Sequence, residues 1–71
     1  MRHKVRLDTM RDIQRFVDTV SNIDAKVTLE DGAGHCVNAK SLLGAIYTTE
    51  WTHVYCYCDR DISGKILDWI I

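Results

Sequence analysis

A chain of 71 residues and 8.2 kDa has room for one domain and one small core, which excludes separate catalytic and regulatory modules. Hydrophobic residues make up 46%, so the chain is not disordered, and nine basic against ten acidic residues (net charge −1) give no bulk pull toward nucleic acid or an anionic membrane. With no proline and four glycines there is no flexible linker, and an odd count of three cysteines reads as reduced thiols rather than a disulfide framework.

Val5 and Leu7 alternate with Lys4 and Arg6, the period-2 pattern of a half-buried strand over 3–7. Before that strand, the basic start Met1-Arg2-His3-Lys4-Val5-Arg6 leads into no apolar run. No window approaches the roughly 18 apolar residues of a membrane span, so the cytoplasm is the expected location. Thr9 with Asp12 three residues later is a weak capping box. It opens an amphipathic helix whose inner face is Met10, Ile13, Phe16, Val17 and Val20, ending near Ser21-Asn22. Ala25, Val27 and Leu29 mark a second strand, Asp31-Gly32-Ala33-Gly34 a turn, and His35-Cys36-Val37-Asn38 a third strand, so 25–38 is a β-hairpin. Ser41 is a good N-cap for a helix of one to two turns through Ile46, and 47–52 is a polar connection. Val54-Tyr55-Cys56-Tyr57-Cys58 is a fourth strand. Asp59 or Asp61 can cap a last helix with Ile62, Ile66, Leu67 and Ile70 inside, although Gly64 weakens it. The expected fold is a single α+β domain over 1–71, an open-faced sandwich of order βαββαβα with three helices on one face of a four-stranded antiparallel sheet.

The run Val37-Asn38-Ala39-Lys40-Ser41-Leu42-Leu43-Gly44 resembles the regulatory-serine region of HPr, the histidine-containing phosphocarrier of the bacterial sugar phosphotransferase system. The likeness continues, at the level of pattern, through Phe16-Val17, Ser21, Val27-Thr28-Leu29-Glu30, Val54–Cys58 and the last helix. It implies an HPr-like fold with sheet order 1-4-2-3. It also implies phosphotransferase-system proteins, a serine kinase or a transcriptional regulator as partners. The HPr phospho-histidine lies in a Gly-[Ile/Leu]-His-Ala-Arg-Pro run. Counting back from Phe16-Val17 puts Thr9 at that histidine, Arg11 at the phosphate-binding arginine and Asp12 at the proline. A phosphocarrier needs a neutral imidazole nitrogen as nucleophile, whereas a threonine phosphate ester is a poor donor. His3 and His53 fall near strand ends and His35 follows a turn, so none replaces it. The resemblance therefore implies a regulatory or adaptor module without a catalytic residue. Ser41 would be its phosphorylation site and Leu42, Leu43 and Ile46 its partner surface. A phosphocarrier with an unusual acceptor is one alternative, and an open-sheet-face binding or dimerisation module unrelated to sugar transport is another.

The remaining candidates have plainer readings beside functional ones. Ser41 and Thr9 serve as helix caps, and Arg11 as a solvated charge, without any phosphate. Cys56 and Cys58 share the apolar strand face with Val54, and a zinc site would need a second close ligand pair, so neither metal nor other cofactor is expected. Cys36 belongs to an edge strand. Tyr55 and Tyr57 point to the open face, and the sheet order that the resemblance implies puts them between Lys4 and Arg6 on one side and Lys26 and Thr28 on the other. Such a face can stack single-stranded nucleic acid, but the net charge favours dimerisation or plain exposure. Trp51 in its polar loop is a possible anchor for a partner, and Trp69 is half-buried cover for the core.

Overall fold

The computed structural model describes residues 1–71. Four strands, β1 (Arg2–Val5), β2 (Val27–Glu30), β3 (Cys36–Asn38) and β4 (Val54–Cys58), form one antiparallel sheet in the order β1-β4-β2-β3. Two helices, α1 (Met10–Ser21) and α2 (Leu42–Tyr47), join it, with 3-10 turns at Thr48–Glu50 and Leu67–Trp69. The α+β class and the open antiparallel sheet agree with the sequence reading.

The helix and strand periods meet in one core. Ile13, Phe16, Val17 and Val20 of α1 pack with Val5, Val27, Leu29, Cys56 and Cys58 from the inner sheet face, and Ala45 of α2 joins them. On the outer face, cross-strand partners line up as Arg2–Tyr57–Thr28–Asn38 and Lys4–Tyr55–Glu30–Cys36. α1 begins where expected: Thr9 Oγ1 accepts the Asp12 N–H at 3.1 Å. Met10 departs from the expected inner face and is 51% exposed, because the core stripe starts one turn later at Ile13.

α2 is short, and two contacts fix it. Asn38 accepts the Lys40 N–H on Oδ1 and the Ser41 N–H on its carbonyl, turning the chain into the helix. A Cβ on Gly44 would lie 3.3 Å from the Asn38 carbonyl oxygen, so glycine lets α2 settle close against β3.

The last expected helix does not form. Asp61 Oδ1 accepts the Ser63 N–H, the capping geometry expected of it, but only isolated i to i−3 bonds follow: Lys65 N to Ile62 O and Ile66 N to Ser63 O. Gly64 penalises helix by about 1 kcal/mol. The chain end gains more by extending along the free edge of β1. Arg6 N–H donates to Trp69 O, Ile71 N–H donates to Lys4 O, and Val5 and Ile70 form a bridge. This path buries Trp69 (6% exposed) with its ring 5.3 Å from Phe16, edge to face, so Trp69 is core rather than half-buried cover. Ile62 and Ile66 are inside as expected, while Leu67 is exposed.

Candidate functional site

Ser41 caps α2: its Oγ accepts the Gly44 N–H at 3.2 Å and its carbonyl accepts the Ala45 N–H. Beyond it, Leu43 is 79%, Tyr47 64% and Leu42 41% exposed, with Ile46 half-buried. Leu43, Ile46 and Tyr47 line a shallow groove with Thr49 and Glu50. Leu42 lines a second with Gln14, Val17 and Asp18 of α1. The expected partner residues therefore line two grooves, Leu42 with Asp18 in one and Leu43 and Ile46 with Glu50 in the other.

Arg11 stands apart from these grooves. It is exposed, forms no ion pair, and lies with Thr9 at the first turn of α1. Lys40, the residue before Ser41, donates its Nζ to Ile23 O past the other end of that helix. Arg11 lines neither groove, whereas Leu42, next to Ser41, lies beside Gln14, Val17 and Asp18 of α1. The cation nearest Ser41 in sequence is Lys40, already bonded at 2.7 Å.

The open face differs from the expected basic one. Register places Lys4 and Glu30 beside Tyr55, and Arg2 and Thr28 beside Tyr57, so Lys4 and Thr28 flank the tyrosines as expected while Arg2 and Glu30 stand where Arg6 and Lys26 were expected. Arg2 lies 4.4 Å over the Tyr55 ring and 3.5 Å from Glu30, so its charge is already engaged. Arg6 instead meets Asp8 at 3.8 Å. Lys26 and Thr28 flank Tyr57, but Asp59 lies in the same depression. This arrangement offers little to a polyanion.

Cys56 and Cys58 are buried in the core and Cys36 is exposed at the sheet edge, all as free thiols. No three His, Cys, Asp or Glu side chains are grouped as metal ligands.

Sequence reasoning passed over two histidine environments. His3 is the second residue of β1, near its start as expected, and sits on the core row His3–Cys56–Leu29–Val37. Its Nε2 is buried without a hydrogen bond, 3.7 Å from Asp61 Oδ1 and too far for one. His35 is held by Asp31: Oδ2 lies 2.7 Å from His35 Nδ1, while Oδ1 accepts the N–H groups of Ala33 and His35. The Ala33 N–H is the largest influence holding the Asp31 carboxyl below its ordinary range, and the bonds to His35 add to it. A carboxylate at Nδ1 fixes the imidazole with Nε2 outward. The signal in sequence was the i, i+4 spacing of Asp31 and His35 across a glycine turn. Trp51, half-buried in its loop, lies 6.4 Å from the His35 ring.

No helix is long and apolar enough to cross a membrane. Comparison with family models, with curated proteins and with solved structures gives no significant match to this chain.

Proposed function

We propose that this chain is a small non-catalytic regulatory or adaptor module, related to HPr, that docks partners through α2 and is controlled by phosphorylation of Ser41. The observation that carries the reading is the run of exposed Leu42, Leu43 and Tyr47 with half-buried Ile46 immediately following Ser41. Isolated exposed apolar residues are ordinary on a small protein, but three within two helical turns form a patch. The sheet order β1-β4-β2-β3 supports the relation, since it is the order the sequence resemblance implied. A phosphate on Ser41 would add a dianion at the margin of the apolar surface and displace the cap to Gly44, so it would alter what that surface accepts. The partners under this reading are a serine kinase and a phosphotransferase-system protein or transcriptional regulator, in the cytoplasm.

The test is incubation with ATP and an HPr serine kinase, followed by peptide mass spectrometry. One phosphate on the Ser41 peptide, absent from Ser41→Ala, supports the proposal, and an unmodified Ser41 sinks it.

The Asp31–His35 pair favours a second reading, a phosphocarrier with an unusual acceptor. The His35 Nε2 lone pair would attack the phosphorus of an activated phosphoryl donor. A P–N bond forms, the donor's bond to phosphorus breaks, and the leaving group keeps the electron pair. Phosphoenolpyruvate with enzyme I separates the two readings. Acid-labile phosphate lost in His35→Gln establishes the second; none leaves the first.

A further inference from the structure

A cleft of about 410 Å³ opens between the start of β4, the connection from β1 to α1, and the loop preceding β4. Its floor is Val5, Leu7 and Val54; its rim carries Lys4, Arg6, Trp51, Thr52 and His53. Neither Thr9, Arg11 nor Ser41 belongs to it, and it meets the α2 groove only at Thr49. The volume falls in the range of about 300–1,000 Å³ that small-molecule sites occupy.

The wall has a surplus of donors. The Lys4 ammonium forms no ion pair, and the Trp51 indole N–H, the Thr52 hydroxyl and the His53 imidazole form no hydrogen bond within the protein. Each of the four can donate, and two of them, Lys4 and Trp51, can only donate. The neighbouring threonines differ: Thr48 Oγ1 is spent on Ala45 O and Thr49 Oγ1 on Ile46 O. The acidic side chain on the wall is Asp8, engaged by Arg6. Free donors in a partly apolar cleft are complementary to an acceptor-rich group, and the half-buried Trp51 ring is complementary to a flat one.

We infer that this cleft binds a small ring-bearing organic anion, an aryl or heteroaryl carboxylate or phosphate, with Lys4, Trp51 and Thr52 meeting the anionic end. The Trp51 indole N–H gives a direct reporter, a resolved peak in a proton–nitrogen correlation spectrum.

Titration of the full chain with benzoate and with phenyl phosphate should move that peak saturably, with a dissociation constant of about 1 mM or tighter for at least one, the scale that ligand size allows. The better of the two identifies the anion class. Peaks of Leu43 and Tyr47 should stay in place. Lys4 and Thr52 are exposed, so Lys4→Gln and Thr52→Val should keep the fold, and Lys4→Gln should weaken binding about fivefold or more. Four outcomes overturn the inference. They are no saturable shift with either anion up to ~20 mM, equal shifts from neutral benzyl alcohol, equal shifts from ringless acetate and inorganic phosphate, or unchanged affinity in Lys4→Gln.

Discussion

Cys56 makes the stability of this protein sensitive to alkali in a way that can be worked from its position. Its side chain is 1% exposed, between His3 and Leu29 on the core face of the sheet. Burial pushes its thiol up to about 12, and neighbouring Cys58 adds to the effect. In the unfolded chain the same thiol ionises near ~8.5. The native state therefore keeps a proton that the unfolded state gives up. The stabilisation is fully present below about pH 8.5 and is lost as pH rises toward 12, by about 1.4 kcal/mol per pH unit. Between pH ~8 and ~11 the loss amounts to about 3 kcal/mol. A domain of this size without disulfides has only about 3–5 kcal/mol in total, so the protein should be near its unfolding midpoint at the alkaline end. The assay is urea unfolding followed by circular dichroism at both pH values, for the native sequence and for Cys56→Ala. Tyrosines and lysines titrate in both proteins, so only the difference is read. At neutral-to-mild pH the variant should be less stable by about 1 kcal/mol, for the buried group it lacks. At pH ~11 the order should reverse, with the variant ahead by about 2 kcal/mol. A stability gap of the same sign and size at both ends would refute the reasoning.

Ser41→Ala removes the cap to the Gly44 N–H and should cost about 1 kcal/mol, read as a Tm several degrees lower by calorimetry. Gly32 has φ +78°, and a Cβ there would lie 3.2 Å from Tyr55 Cε2. Gly32→Ala should therefore destabilise by about 1–2 kcal/mol and shift the Tyr55 ring resonances, and unchanged resonances would count against the contact. Asp31 is depressed in the folded state, so what it contributes is present above about pH 4 and lost as pH falls through its folded value. Asp31→Asn should flatten the acid limb of the stability curve. Ellman's reagent should titrate Cys36 alone in the native protein and all three thiols in denaturant.

The elements read most directly from the sequence are those where period and chain chemistry agree. The α1 stripe Ile13, Phe16, Val17, Val20 and the alternation in Val54–Cys58 each allow one solution, and the fold adopts both. The tail from Asp59 onward carries the same apolar spacing as a helix, and there the reading failed. Spacing reports which side chains are buried, and Ile62 and Ile66 are. It does not report that the edge of β1 has backbone groups to satisfy, which the chain meets by extending at 69–71. Long-range demand outweighed a local preference already weakened by Gly64.

The candidate site divides along the same line. Ser41 and Thr9 cap helices as expected because a cap is a contact across three residues. The composition of the open face was misjudged because it depends on register between strands distant in sequence. Pairing β2 with β4 through Thr28 and Glu30, rather than Lys26 and Thr28, puts an acidic side chain beside the tyrosines where a basic one was expected. The donor-rich cleft was out of reach for a similar reason. Trp51, Thr52 and His53 are adjacent in the chain, but what makes their donors a site is the arrival of Lys4 and the apolar floor from β1 and its continuation. A polar loop and an amphipathic strand are each unremarked alone. Laid together they leave one ammonium, one indole N–H, one hydroxyl and one imidazole without acceptors, and an acceptor-bearing ligand is the partner their chemistry asks for.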